Sequence, residues 1–141
     1  MVYTVTVFLW RKPGISPSQF RNHYETVHIP LLRTKVGSSF PLTHSRHYLT
    51  RTPNSLGSSD NSNDNHKPTI LGGKPEDFDW DVYSEMVFQD YEHFGVFAQK
   101  MGEISDGKDE EWKVDCEAFL DMDKIASRMV IVDEAVVTKR E

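Results

Sequence analysis

The 141-residue chain has a single cysteine, Cys116, so it has no internal disulfide, and that usage fits a reducing compartment. No apolar run approaches the roughly 20 residues needed to span a bilayer. Basic residues are too few to form a stripe. Lys and Arg total 16 against 22 Asp and Glu, a net charge of -6, and Lys139-Arg140 is answered by Glu141. That balance argues against nucleic acid as a partner. The N-terminus opens into an alternating strand pattern with no basic segment and apolar run, so no secretory leader is expected and the domain is read as cytoplasmic, with no membrane partner. There is no Cys pair, HExxH helix or carboxylate-rich calcium loop. Gly72-Gly73 reads as a turn and no glycine-rich phosphate cradle follows a strand, while a GxSxG elbow and a flavin or nicotinamide motif are also missing. A site without cofactor or metal is therefore expected.

The richest segment runs from Phe8 to Leu32. Val5, Val7 and Leu9 alternate with Phe8 and Trp10 as a strand does, and Lys12-Pro13-Gly14 is turn chemistry. Ser16 is a natural N-cap, with Pro17 at the first helical position and Gln19 completing a capping box. Phe20, Tyr24, Val27, His28 and Leu31 follow at helical spacing, so the inward stripe carries a phenol and an imidazole. Pro30 disfavours helical geometry at Ile29, which predicts a break there and a further short turn ending near Gly37.

A second strand is expected from about residue 41 to 52. The polar stretch at about 53–77, almost without apolar residues before Ile70, reads as a flexible loop. A third strand follows from Asp79 to Gln89, with Trp80, Val82, Ser84, Met86 and Phe88 on one face and Asp81, Tyr83, Glu85 and Val87 on the other. Asp90 caps a helix that Gly102 should stop, and another helix spans about Asp109 to Leu120. On that second helix Trp112, Cys116, Phe119 and Leu120 share a face, which makes Cys116 a buried structural thiol. The last strand is expected over Ser127–Thr138, apolar on both faces. The order predicts an α+β fold, a ferredoxin-like split βαβ with a four-stranded antiparallel sheet, in one domain over 1–141. A sheet covered by helices on one face leaves the other bare, and pairing two such sheets would make a symmetric homodimer.

The residues Arg11, Lys12, Pro13, Gly14, Ser16, Phe20, His23, Tyr24, His28 and Pro30 fill the pattern RKPGxSxxxFxxHYxxxHxP. In this the chain resembles EthD-domain proteins of the dimeric α+β barrel group. The stretch FPLTHSRHYLTR, Phe40–Arg51, is similar to the small EthD-like proteins of fungal aromatic-polyketide pathways, which are assigned as decarboxylases. The resemblance implies a dimeric barrel with its reaction cavity between sheet and helices. It also implies a cofactor-independent decarboxylase acting on a polycyclic aromatic polyketide acid. The alternatives it leaves are a polyketide cyclase or dehydratase, a cofactor-free anthrone-type oxygenase, and a non-catalytic accessory protein binding a hydrophobic ligand.

His23 and His28 are five apart, a poor helical pair for a metal, and His44 and His47 fall on opposite faces of a strand. What is left is acid–base chemistry. Tyr24, His28 and His47 are the catalytic candidates, and His23, His44, Arg46, Trp80, Tyr83 and Glu85 the substrate contacts. The strand Thr43–Tyr48 offers two faces. His44, Arg46 and Tyr48 on one would suit a carboxylate, unless Arg46 is engaged by Glu85 or Asp81 of the adjacent strand. Ser45, His47 and Leu49 on the other would pair His47 with His28 for proton exchange. The expected division of labour is Arg46 or His44 orienting the substrate, Tyr24 or His23 stabilising an enolate, and His28 or His47 moving the proton.

Overall fold

A computed structural model describes residues 1–52 and 67–141. Most of the expected polar loop, 53–66 with His66, lies outside the described residues. The chain opens with strand β1, Tyr3–Leu9, and turns at Gly14, whose φ of 95° explains a glycine there. Helix α1, Pro17–His23, starts at the Ser16 capping box, with both reciprocal bonds formed to Gln19. It passes through a π-helical turn, Tyr24–His28, into α2, Ile29–Val36, which ends at Gly37 with φ 55°. The break expected at Pro30 does not occur. Ile29 keeps helical angles (φ -63°, ψ -46°), and the turn before the proline widens instead.

Strand β2 is Thr43–Tyr48, and a short hairpin pairs β3, Arg51–Thr52, with β4, Lys67–Pro68. A short 3₁₀ turn, Pro75–Phe78, leads to β5, Val82–Phe88. Helix α3, Tyr91–Ser105, is capped by Asp90 and runs past Gly102, which an exposed helix tolerates, to a turn at Gly107 with φ 75°. Helix α4, Glu110–Phe119, is capped by Asp109, and β6 is Met129–Val132.

The four long strands make one antiparallel sheet in the order β2-β5-β1-β6, the split βαβ arrangement. Its registers place Val5, Val7, Leu9, Val82, Ser84, Met86, Phe88, His44, Arg46 and Tyr48 on the helix side. Phe20, Tyr24, Leu32, Val36, Phe97, Trp112, Cys116 and Phe119 meet that side from the helices. Each such side chain contributes about 1.5–3 kcal/mol on burial. Arg11 donates to both oxygens of Asp81 at 2.8 and 2.9 Å, and Arg51 to one at 2.8 Å, which ties the end of β1 to the approach to β5.

The final strand is shorter than expected. Only four residues pair with β1, from Thr4 to Val7, and residues 133–141 continue without regular structure. Met129, Val130, Ile131 and Val132 of this edge strand are all exposed in the single chain, an apolar surface on both faces. Among the described residues no helix is long and apolar enough to cross a membrane.

Candidate functional site

The π-helical turn builds the first wall. In a regular α-helix five residues cover 140° beyond a full turn, which would point His23 and His28 apart. A turn closed by i→i+5 bonds, such as Ile29 N–H to the Tyr24 carbonyl, brings the two back to one side. Both then reach the same carboxylate. His23 Nε2 lies 2.7 Å from Asp115 Oδ1, and His28 Nδ1 lies 2.7 Å from Asp115 Oδ2. Asp115 sits on the buried stripe of α4 with Trp112, Cys116 and Phe119, and these rings fix the imidazoles. His23 stacks on Phe119 at 4.7 Å, and His28 packs on Trp112 at 4.6 Å and on Phe119 at 4.8 Å.

An ionised carboxylate only accepts, so His28 donates through Nδ1 and its Nε2 is a bare acceptor. Burial lowers the proton affinity of His28; the Asp115 hydrogen bond and charge oppose it, and a charge on His23 lowers it further. His28 is therefore a neutral base held in one tautomer.

Strand β2 supplies the opposing wall with its His44–Arg46–Tyr48 face. Arg46 is engaged, though by neither carboxylate of the adjacent strand. Its Nε and Nη2 donate to Glu25 at 2.6 and 2.9 Å, and Tyr48 donates to the same carboxylate at 2.6 Å. Arg46 Nη1 donates to the His44 carbonyl at 2.8 Å and to His44 Nδ1 at 3.0 Å. A guanidinium has no acceptor, so His44 Nδ1 must be bare and the ring proton resides on Nε2. Burial, then the Arg46 charge, push the His44 proton affinity down to about 4, so it stays neutral. The two histidines thus present opposite faces, an acceptor nitrogen on His28 and a donor on His44. Between them lies Tyr24, whose phenol burial pushes up to about 12, with the Ser84 hydroxyl and the Arg46 charge opposing. At neutral pH it is an O–H donor.

These groups line one end of a cavity of about 380 Å³ between the sheet and the helices. Its remaining walls are largely apolar, with Leu32, Met86, Phe97, Met101, Trp112 and Met129 among them. An apolar chamber with a base, two neutral donors and few other polar groups is suited to moving a proton on a flat organic molecule. Among the described residues no cluster of three or more His, Cys, Asp or Glu is arranged to hold a metal ion.

The structure brings Tyr24, His28, His44 and Ser84 together on this cavity and keeps His23 just behind Asp115. It does not bring His47, Tyr83, Glu85 or Trp80 there. His47 stacks on Tyr83 at 4.5 Å and sits 4.0 Å from Glu85, on the sheet face away from the helices, because strand alternation sends it opposite to His44. The pairing of His47 with His28 is therefore not formed. Trp80 precedes β5 and leaves the strand alternation, so its ring meets Phe8 at 5.3 Å and Tyr83 at 5.7 Å, apart from Ser84. Asp115, Glu25 and Ser84 are absent from the sequence candidates. For Asp115 a signal exists, a carboxylate at the fourth position of the Trp112–Phe119 apolar stripe. Glu25 carries no comparable sign, since its role depends on a strand some twenty residues on.

Cys116 is buried against the cavity, and burial pushes its thiol up to about 12, so it is inert. His93 serves the backbone, with Nδ1 accepting from Gln89 N–H at 3.0 Å and Nε2 near the Ser39 and Phe40 carbonyls.

Comparison with known proteins gives a match to the EthD domain family over residues 12–123. A crystal structure of an EthD-like protein from Ralstonia eutropha is similar in fold, with a TM-score of 0.51 at 16% identity, covering 99% of this chain and 95% of that one. No curated protein matches the sequence.

Proposed function

This chain belongs to the EthD-domain family, and from that premise we propose that it is a cofactor-independent carbon–carbon lyase decarboxylating a polycyclic aromatic polyketide acid. The observation carrying the reading is that His28, tied through Nδ1 to Asp115, and His44, tied through Nδ1 to Arg46, line the same largely apolar cavity. A keto or ortho-hydroxy aromatic acid enters uncharged, as an apolar chamber favours. His28 Nε2 takes the carboxyl proton as the carbon–carbon bond breaks. Carbon dioxide leaves, and the electron pair moves into the ring system as an enolate. His44 Nε2–H and the Tyr24 phenol donate to the enolate oxygen, and the His28 imidazolium returns the same proton to carbon. One acid becomes one carbon dioxide and one protonated product. Asp115 stabilises the transient imidazolium. Donors aimed at a developing oxyanion are worth about 2.7–4 kcal/mol each, and positioned proton transfer about 10²–10⁴-fold. Arg46, bound by Glu25, holds His44 in its donor tautomer and does not itself meet the substrate carboxylate.

That engagement of Arg46 favours a second reading, abstraction of a carbon-bound proton for aldol cyclisation or dehydration, because an acid must first take up a proton to enter a cavity without a free guanidinium, whereas a substrate with no carboxyl group need not. Purified protein incubated with candidate polyketide acids separates the two. Carbon dioxide release without oxygen uptake supports the lyase. A product of unchanged mass, or lighter by water, supports the cyclase or dehydratase. Oxygen uptake would support the anthrone-type oxygenase, and binding without turnover an accessory role. Turnover undiminished in a folded His28→Ala variant removes the base assignment.

We also infer a homodimer formed through the sheet face that carries Thr4, Thr6, Phe8 and Tyr83, with the exposed apolar β6 at its margin. Sedimentation should give twice the chain mass, and Val130→Asp should return the monomer. A monomeric wild-type chain at micromolar concentration would remove the inference.

A further inference from the structure

Asp115 stands between two spaces. One oxygen serves His28, which lines the inner cavity, and the other serves His23, which lines an outer groove with Thr26, Val27, Leu31, Glu110 and Glu111. The His23 side chain is 24% exposed and that of His28 only 9%. Neither imidazole touches solvent through Asp115, whose own side chain is 7% exposed. Both bonds are 2.7 Å, within the range of charge-assisted hydrogen bonds. A single carboxylate neutralises one imidazolium, so a proton added to either ring weakens what Asp115 offers the other.

We propose that His23 is a positioning residue that sets the proton affinity of His28 from the solvent side, the two rings competing for the shared carboxylate of Asp115. When His23 is charged, His28 resists becoming an imidazolium and remains a bare base. When His28 takes a proton from a bound molecule, His23 is driven to give one up from Nδ1 to the groove, so the net charge around Asp115 stays near zero without opening the cavity. The other titratable groups facing this pair are few. Tyr24 from the π-helical turn and His44 from β2, with Arg46 and Glu25 behind it, face His28, and Cys116 lies beside it on α4. Glu110 and Glu111 lie along the outer groove on the His23 side. Tyr24, His44 and Cys116 remain neutral at neutral pH, so the charge that His28 meets comes from the Asp115 side.

The proposal concerns proton exchange at the pair, and only its turnover arm rests on His28 being the catalytic base. The test is histidine NMR titration of the intact chain and its variants. His23→Gln keeps a donor for Asp115 Oδ1 but cannot take up a proton, so the His28 midpoint should rise by about one pH unit. By reciprocity His28→Gln should raise the His23 midpoint by the same amount. Asp115→Asn should lower both. A His28 midpoint unmoved in folded His23→Gln, or an Asp115→Asn variant that shifts only one ring, overturns the proposal. In turnover, the acid limb of the kcat/KM profile should follow the His28 midpoint upward in His23→Gln. If the NMR shifts occur and that limb stays put, the competition for Asp115 stands and His28 is not the base.

Discussion

Glu25 accepts three hydrogen bonds, at 2.6 and 2.9 Å from Arg46 and at 2.6 Å from Tyr48. Glu25→Gln keeps the shape but replaces one acceptor oxygen with an amide nitrogen that faces donors. Ion pairs in full solvent contribute about 0.2–1 kcal/mol, while removing one partner of a buried pair costs about 3–5 kcal/mol. Here the Arg46 and Glu25 side chains are 19% and 34% exposed, so solvent screens part of the interaction and the expected loss is about 2 kcal/mol. For a chain of this size that is a fall in Tm of about 8 °C. The loss also has a pH signature. The Arg46 hydrogen bond holds the Glu25 carboxyl below its ordinary value of 4.5, so the stabilisation is complete above pH 4.5 and is lost as pH falls through the folded value. Urea unfolding of both proteins, followed by circular dichroism from neutral to acid pH, should show a gap that closes on the acid side with an unchanged m-value. A neutral-pH gap below about 0.5 kcal/mol, or one that widens towards acid, would refute the cluster as a structural clamp.

Three further outcomes follow from the same geometry. Asp115→Asn offers only one acceptor to two imidazoles and no charge for the His28 imidazolium, so kcat/KM should drop about 10²–10⁴-fold while the fold persists, as steady-state kinetics beside circular dichroism will show. Cys116, its thiol pushed up to about 12, should react with iodoacetamide at neutral pH on the order of 10³-fold more slowly than a free thiol, and mass spectrometry should find it labelled at the ordinary rate only in denaturant. Phe119, fully buried against Phe20, Tyr24, His23 and His28, should cost about 3–5 kcal/mol as Phe119→Ala in a denaturant melt.

Local chemistry was readable where it depends on neighbours in sequence. Ser16, Pro17 and Gln19 announce the start of α1 because a capping box is contained within four residues. The alternation in Val82–Phe88 separates Ser84 and Met86 from Tyr83 and Glu85 for the same reason. Where pairing partners lie far apart, the reading stopped. Thr43–Tyr48 has a polar residue at every position, so nothing in its pattern says which face meets the helices. Its orientation depends on Glu25 drawing in Arg46 and Tyr48, and on the registers His44↔Met86 and Arg46↔Ser84. The end of β6 is not legible because apolar composition continues to Val137, whereas the ladder with β1 covers only Met129 to Val132. The five-residue spacing of His23 and His28 argues against a metal pair, but a regular helical period gives no sign that both rings reach Asp115.

Pro30 shows what that irregular turn implies for anyone altering the protein. It has no N–H to give the Thr26 carbonyl, and the widened turn directly precedes it. By helix propensity alone Pro30→Ala is an attractive stabilising exchange, since it restores a donor and removes a ring. A turn that tightened to the regular period would swing His28 around the helix axis, away from the oxygen of Asp115 that orients it. Sturdiness and register therefore pull in opposite directions at this residue. Selection for thermal tolerance and selection for turnover should disagree over it, with the more robust helix belonging to the poorer site.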